Sequence, residues 1–259
     1  MIYLGKHISR RDTELTSVWL LEQVPLPASV SSSSAQRPLA GRLQFTVSRG
    51  DSPDLQAAIE RYQPLIYTHG AQNSSQAEGS ASVLTKVEIV VNQVVTMPQI
   101  NTDESYTLIV PDVGAASIEA NTTVGAYRGL ETLSQLGGYN FGNGKYAIHG
   151  VPLFVHDYPQ FAWRGLMIDT SRHWLPVASI VRTLDAMSYA KLSVLHWHIV
   201  DREAFPLVLD SVPELVKGAW SAREKYSTSD VKQIVEAARL RGIRVVCVHK
   251  SSPLEVYAP

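Results

Sequence analysis

Six polar side chains follow or close two apolar segments in the second half of the chain. They are Asp169, Arg172, His173, His196, His198 and Asp201. The apolar segments, residues 165–168 and 192–199, have the composition of buried strands. Carboxylates, a guanidinium and imidazoles that converge at neighbouring strand ends can bind and orient a polar ligand. The sequence therefore predicts a pocket at this edge of a sheet.

The elements around these residues alternate between strand and helix. Pro176 opens an amphipathic helix after the first strand, and the segment Ser227-Thr228-Ser229-Asp230 offers an N-cap for another after the second. A third strand is predicted over residues 243–248. This alternation indicates parallel strands joined by right-handed crossovers, in a doubly wound sheet or a (β/α)8 barrel. In such a barrel, functional groups lie at the C-terminal ends of the strands, where the six residues fall.

The polar residues also have purely structural interpretations. Arg172 could pair with Asp169 or Asp201 across the barrel mouth without contacting a ligand. His196 and His198 share one face of a strand because side chains alternate, which would suit zinc. The sequence offers no third ligand at a characteristic spacing from this pair of histidines, so no metal site is predicted.

The tryptophans near these residues are expected to be core residues. Trp197 lies between two histidines of the second strand and should point into the helix layer. Trp163 precedes the first strand, and we expect the same of it.

The first half of the chain has a different pattern. Strands are predicted at Arg42–Val47, Val87–Val91 and Tyr106–Val110. Two helices interrupt them: one is capped by Ser52-Pro53 and the other covers Thr123–Leu136. This pattern predicts an antiparallel sheet with helices on one face.

Two polar runs in the first half, Ser31–Ser34 and Gln72–Ser82, are predicted to be loops. We predict an unassigned extension over residues 1–24, a small α+β domain over residues 25–160 and a partial barrel over residues 161–259.

Composition excludes several classes of partner and location. The net charge of −1 gives no general attraction to nucleic acid, and no run approaches the roughly 18 apolar residues of a membrane span. Glu22 interrupts the apolar segment Leu15–Leu26, so no signal peptide is predicted. Cys247 has no partner for an internal disulfide. Asn73 and Asn121 begin glycosylation triplets that would matter only in a secretory pathway.

Four strings carry a family resemblance: RGLMIDTSRHWLP (Arg164–Pro176), LDAMSYAKLSVLHWHIVD (Leu184–Asp201), VKQIVEAARLRGIRVV (Val231–Val246) and AYRGLETLSQL (Ala126–Leu136). The first three resemble the start of the catalytic barrel of β-N-acetylhexosaminidases of glycoside hydrolase family 20. The fourth resembles the end of the small domain that precedes that barrel. The resemblance implies an α/β fold, with a small α+β domain followed by about three strands of a TIM barrel.

The resemblance also implies roles for four residues. Arg172 would hydrogen-bond hydroxyl groups of the terminal N-acetylhexosamine, a task that suits a fixed guanidinium fork. Asp201 resembles the carboxylate that positions a pocket histidine, and His198 a neighbour that supports it. Asp169 would brace the loop. No cofactor is implied.

The family's chemistry requires two residues that this sequence does not offer. The substrate's acetamide oxygen attacks the anomeric carbon, an Asp orients the acetamide and an adjacent Glu is the general acid. These lie in a Gly-Gly-Asp-Glu motif, which the 259 residues do not contain. We therefore assign no catalytic residue and expect this chain to be inactive alone. The alternative is a non-catalytic fragment that binds carbohydrate or a partner subunit.

By the same resemblance, the partners would be N-acetylhexosamine-terminated glycans or chitooligosaccharides, with homodimers in the full-length form. The compartment would be lysosomal, vacuolar or extracellular. A third barrel strand with an unpaired edge should also make the isolated chain marginally stable or prone to aggregate.

Overall fold

The computed structural model describes residues 23–70 and 80–249. The first part of the chain forms one six-stranded sheet with two helices. Its elements, in chain order, are β1 (Ser29–Arg49), α1 (Pro53–Ile66), β2 (Leu84–Gln93), β3 (Tyr106–Val110), β4 (Ala116–Thr122), α2 (Thr123–Leu136), β5 (Gly137–Asn140) and β6 (Lys145–Asp157). Both predicted helices and all three predicted strands are present, together with β4, β5 and β6, which the sequence did not reveal.

The sheet is mixed, so the prediction of an antiparallel sheet was wrong. β2 lies between β1 and β4 and is parallel to both, whereas the pairings of β3 with β4 and of β6 with β1, β3 and β5 are antiparallel. The parallel pairing of β1 with β2 follows from α1, because a helical crossover returns the chain in the same direction.

The serine cluster Ser31–Ser34 was predicted to be a loop and instead lies within β1. Ser31 and Ser32 pair with Phe154 and Leu153 of β6, and the serine side chains are exposed. An exposed strand segment needs no apolar residues if its partner strand supplies the ladder of hydrogen bonds, and for this reason composition alone misled the prediction.

Side-chain caps define where α1 and α2 begin. The Ser52 hydroxyl accepts a hydrogen bond from the Leu55 N–H, and the Thr122 hydroxyl accepts one from the Gly125 N–H. Each bond satisfies a donor that the first helical turn leaves without a partner. The helices contact each other and bury their apolar faces in a single core with the sheet.

The second part of the chain forms a three-stranded parallel sheet in the order β7-β8-β9. This confirms the predicted strand-helix alternation. Its elements are β7 (Gly165–Asp169), α3 (Val177–Tyr189), β8 (Val194–Val200), a short 3₁₀ helix (Pro213–Gly218), α4 (Thr228–Arg239) and β9 (Arg244–His249). No helix in the part of the chain described here is long and apolar enough to span a membrane.

The two tryptophans predicted to be core residues differ. Trp197 is fully buried in the core formed by α3, α4 and the sheet, as expected. The prediction for Trp163 was wrong, because this residue is 48% exposed. The centroid of its ring lies 5.7 Å from the guanidinium carbon of Arg244. Trp163 precedes the first residue of β7, so the alternation of that strand does not direct its side chain inward.

Buried ion pairs connect the two sheets. Glu104, which precedes β3, bonds Arg128 of α2 at 2.8 Å and Arg164 beside β7 at 2.5 Å. Nearby, the Lys191 ammonium lies 2.7 Å from Asp157 Oδ2 and donates hydrogen bonds to the hydroxyl oxygens of Tyr106 and Thr132. Glu104, Arg128, Asp157 and Lys191 are all buried, and their contacts join the helices and strands of the first sheet to residues beside β7 and β8.

Candidate functional site

The C-terminal ends of β7 and β8 bring four of the predicted site residues together. Asp169 ends β7 directly beside His198 of β8 in the parallel ladder. Arg172 and Asp201 follow these two strand ends, and Arg172 Nε lies 3.0 Å from Asp169 Oδ2 and 3.6 Å from Asp201 Oδ2. These four residues therefore form one continuous group of charged and polar side chains.

Asp169 holds the backbone of the loop after β7. Its Oδ1 accepts hydrogen bonds from the N–H groups of Ser171 and Arg172, both at 3.1 Å. Its other oxygen faces the Arg172 guanidinium. One carboxylate thus fixes both the backbone and the side chain of Arg172, which limits the directions in which the guanidinium can point.

Asp201 receives more hydrogen bonds than the other carboxylate of the site. Its Oδ1 accepts from Ser171 Oγ at 2.5 Å and from the Glu203 N–H at 2.7 Å, while Oδ2 lies 3.1 Å from His198 Nε2. Burial raises the pKa of Asp201, but the hydrogen bonds from Ser171, Glu203, His198 and Ala204 outweigh that effect and lower the pKa to about 2. Asp201 is therefore ionised at any physiological pH.

A cavity of about 410 Å³ opens over this group of charges. Its lining consists of Arg172, His198, Asp201, Arg202, Glu203 and Trp220. The Arg172 side chain is 61% exposed, so it can reach a ligand while Asp169 and Asp201 hold its base. The volume lies within the range of small-molecule sites. Donors from the arginines and acceptors from the carboxylates suit a ligand with several hydroxyl groups.

Two histidines of the predicted cluster do not join this cavity. His173 is exposed and does not line it. His196 Nε2 is buried without a hydrogen-bond partner among the described residues. His196 and His198 project from the same face of β8, but only His198 reaches a carboxylate of the site.

The sequence analysis did not name Arg202 and Glu203, which line the cavity, and it also missed Ser171 and Trp220. Ser171 is fully buried and bonds Asp201, and Trp220 donates from its indole Nε1 to the Ser171 carbonyl oxygen at 2.9 Å. Ser171 stands between the two predicted residues Asp169 and Arg172, but a serine there carries no signal of its own. Trp220 lies in the loop after the 3₁₀ helix, where spacing gives no indication of a contact with β7.

Asp169, His198 and Asp201 place candidate ligand atoms within 4.8 Å of one another, a spacing that could hold a metal ion. The Arg172 guanidinium already approaches both carboxylates of this group. A cation there would have to displace that positive charge, so the arrangement favours an arginine-centred site for a neutral ligand.

The two predicted glycosylation positions have different outcomes. Asn73 lies outside the described residues. Asn121 is exposed at the end of β4, where its amide donates to Asp103 Oδ2 at 2.8 Å and accepts from Asn92. Modification of Asn121 stays a prediction.

Two family models match the chain. One, described as glycosyl hydrolase family 20, catalytic domain, matches residues 161–249, and the other, described as beta-acetyl hexosaminidase like, matches residues 23–136. The chain belongs to glycosyl hydrolase family 20. The site described above lies within the part that matches the catalytic domain.

The relatives and solved structures agree with this family. Beta-hexosaminidase 1 of Arabidopsis thaliana is 40% identical over 86% of this chain and 44% of its own length. The human beta-hexosaminidase subunit beta is 42% identical over 74% of this chain and 35% of its own length. The structure of Flavobacterium johnsoniae chitobiase superposes with a TM-score of 0.75 at 26% identity, over 91% of this chain and 35% of the chitobiase.

This chain therefore spans less than half the length of the family members that it matches. The family's solved structures are TIM-barrel enzymes matched over about a third of their length. The sheet β7-β8-β9 with α3 and α4 corresponds to the beginning of such a barrel, which confirms the fold that the resemblance implied.

Proposed function

We propose that the protein acts on glycans that end in N-acetylhexosamine, and that Arg172 binds hydroxyl groups of the terminal sugar. Two solved structures of similar fold support this substrate class. One is an exo β-N-acetylglucosaminidase of Vibrio harveyi in complex with N-acetylglucosamine, and the other is a Streptomyces plicatus β-hexosaminidase in complex with the product GlcNAc. Hydrolysis of terminal non-reducing N-acetylhexosamine residues would be the activity of a full-length family member.

The observation that carries the proposal is the position of Arg172. Asp169 and Asp201 hold its Nε, and Asp169 also holds its backbone, while the side chain is 61% exposed and lines the cavity. A guanidinium in a fixed orientation can donate two parallel hydrogen bonds to neighbouring hydroxyl oxygens of a pyranose. Asp201, ionised next to it, offers an acceptor for a hydroxyl hydrogen or for a histidine.

For the 259-residue chain itself, we propose sugar binding without hydrolysis. The sequence contains no Gly-Gly-Asp-Glu motif, and so it lacks both the group that orients the acetamide and the general acid. General acid catalysis contributes about 10²–10⁴ in rate, and orientation of an internal nucleophile roughly 7–11 kcal/mol. Without both, turnover should not exceed the background.

The test measures the binding of N-acetylglucosamine to the purified 259-residue chain by NMR chemical-shift titration. In Arg172→Ala, affinity should fall by at least roughly tenfold, since a hydrogen bond to a charged group contributes about 1.5–3 kcal/mol. Arg182→Ala removes an exposed arginine of α3 and should bind like the unaltered chain. Equal affinities of all three proteins would contradict the role of Arg172.

Hydrolysis of a chromogenic N-acetyl-β-glucosaminide by the same preparation tests the second part of the proposal. We expect no turnover above background from a folded, monodisperse sample. Measurable turnover would mean that an acid within these 259 residues performs the step, and the cavity carboxylates Asp201 and Glu203 would be the first candidates for substitution.

A further inference from the structure

We propose that the indole of Trp220 is a stacking platform for a sugar ring bound beside Arg172. The inference rests on the proposed sugar-binding function and adds to it a residue from a different loop. Several aromatic side chains in residues 23–70 and 80–249 are exposed, including Phe141, Phe161 and Trp163, but of these exposed aromatics only Trp220 lines the cavity over Arg172 and Asp201.

The Trp220 ring is fixed at one edge and open elsewhere. Its Nε1–H donates to the carbonyl oxygen of Ser171, the residue immediately before Arg172, at 2.9 Å. The side chain nevertheless remains 57% exposed. A tryptophan that only filled the core would bury its ring, whereas this one satisfies its polar edge and leaves much of its apolar surface at the cavity.

The backbone that carries Trp220 is also held in place. The Phe205 N–H donates to the Gly218 carbonyl oxygen at 2.9 Å, and the Ala219 N–H donates to the Val216 carbonyl oxygen at 3.0 Å. The Gly218 backbone approaches Phe205 so closely that a Cβ added at position 218 would lie 3.2 Å from the Phe205 Cβ. The ring therefore sits on a loop anchored to the segment that follows β8. This anchoring reduces the conformational entropy that the loop loses when a ligand binds.

The chemistry of the cavity matches the two surfaces of a pyranose. The hydroxyl edge of a sugar needs donors and acceptors, which Arg172 and Asp201 provide. Its C–H face is apolar and carries small positive partial charges, which an aromatic face attracts through its quadrupole. Together with Arg172 and Asp201, Trp220 supplies the surface that hydrogen-bonding groups alone cannot supply.

The experiment compares variants of the full chain in titrations with N-acetylglucosamine and N,N′-diacetylchitobiose. Trp220→Leu keeps an apolar side chain on the loop and removes the aromatic face, so affinity for at least one of these ligands should fall roughly tenfold, equivalent to about 1.4 kcal/mol. The ligand-induced change in indole fluorescence should disappear with it. Trp163→Leu removes an indole of similar exposure outside the cavity and should leave both readouts unchanged.

A second variant separates stacking from loop structure. Trp220→Phe keeps an aromatic face and loses the hydrogen bond to Ser171, so it should retain most of the affinity. If Trp220→Phe weakened binding as much as Trp220→Leu did, the Nε1 hydrogen bond would be the important feature and the platform would be wrong.

Arg172→Ala separates the two proposals. Loss of binding in Arg172→Ala with normal binding in Trp220→Leu would overturn the platform and leave the proposed function intact. If the unaltered chain bound neither sugar, the sugar pocket and the platform would both be wrong.

Discussion

At the scale of single residues, the ionisation of Asp201 depends on a buried serine. Ser171 Oγ lies 2.5 Å from Asp201 Oδ1, and the hydrogen bonds to this carboxylate lower its pKa to about 2 despite its burial. In Ser171→Ala we expect the pKa of Asp201 to rise toward its ordinary value, because a bond that favours the charged form is lost. A carbon-13 NMR titration of the Asp201 carboxyl measures this directly.

The effect of Ser171→Ala on the free energy of unfolding should depend on pH. A carboxyl whose pKa is lowered by folding stabilises the native state above the unfolded pKa, about 4, and loses that contribution as pH falls toward 2. The loss of stability in Ser171→Ala should therefore be largest near pH 7 and shrink below pH 4. Ser221→Ala, an exposed serine of the Trp220 loop, is the control. An unchanged Asp201 pKa in Ser171→Ala would assign the effect to the Glu203 and Ala204 backbone.

The residues of the site that could be predicted are those governed by strand geometry. Asp169, Arg172, His198 and Asp201 all lie at or just after the C-terminal ends of parallel strands, where side chains from neighbouring strands must meet. Trp220 could not be predicted in this way, since its position depends on the path of an irregular loop.

At the scale of elements, the starts of the helices could be predicted from the sequence better than the strands of the sheet. The segment Ser227–Asp230 was predicted to offer an N-cap, and the structure places the cap at its first residue. Ser227 Oγ accepts from the Asp230 N–H, and Asp230 Oδ2 accepts from the Ser227 N–H. The sheet was less readable. Half of its strands were missed, because strand pairing depends on partners distant in sequence and an exposed strand needs no apolar pattern.

Removal of the cap of α4 should have a measurable cost. In Ser227→Ala the free energy of unfolding should fall by about 1 kcal/mol, as for other N-cap serines. Hydrogen bonds from Ser227 lower the pKa of Asp230 in the folded state. Part of this cost should therefore disappear as pH falls below about 4, where Asp230 becomes protonated first in the unfolded chain and then, at lower pH, in the folded protein. Urea unfolding at pH 7 and pH 3 measures both effects.

A matched control for the cap lies on the same helix. Gln233→Ala replaces an exposed side chain of α4 and should change stability by less than about 0.5 kcal/mol. A Ser227→Ala protein as stable as Gln233→Ala would show that packing of Ile234 and Ala238, rather than the cap, determines whether α4 forms.

At the scale of the whole molecule, the sequence predicted two structural parts but not how they join. The division into residues 1–24, 25–160 and 161–259 remains a prediction, whereas the structure shows two separate sheets bridged by buried charges. The bridging residues Glu104, Arg128 and Arg164 lie far apart in sequence, and each could equally have been an exposed charge. Only the folded arrangement shows that Glu104 pairs with two arginines at once.

This arrangement predicts that Glu104 couples the stabilities of the two sheets. Glu104 is 7% exposed, and Arg128 also donates to the carbonyl oxygens of Leu192 and Gly242 in the second part. Glu104→Gln keeps the shape of the side chain but leaves two guanidinium groups without a negative partner. Since breaking a buried pair costs about 3–5 kcal/mol, we expect a lower midpoint of urea unfolding and a transition that separates into two steps.

The control for Glu104→Gln is Glu236→Gln, since Glu236 pairs with Arg239 where solvent screens the charges. This change should cost less than about 1 kcal/mol and keep a single transition. Far-ultraviolet circular dichroism would follow both sheets, while tryptophan fluorescence would follow mainly the second, because four of the five tryptophans lie at or after Trp163. If the two signals in Glu104→Gln still changed in a single transition with an unchanged midpoint, apolar contacts rather than these charges would hold the two sheets together.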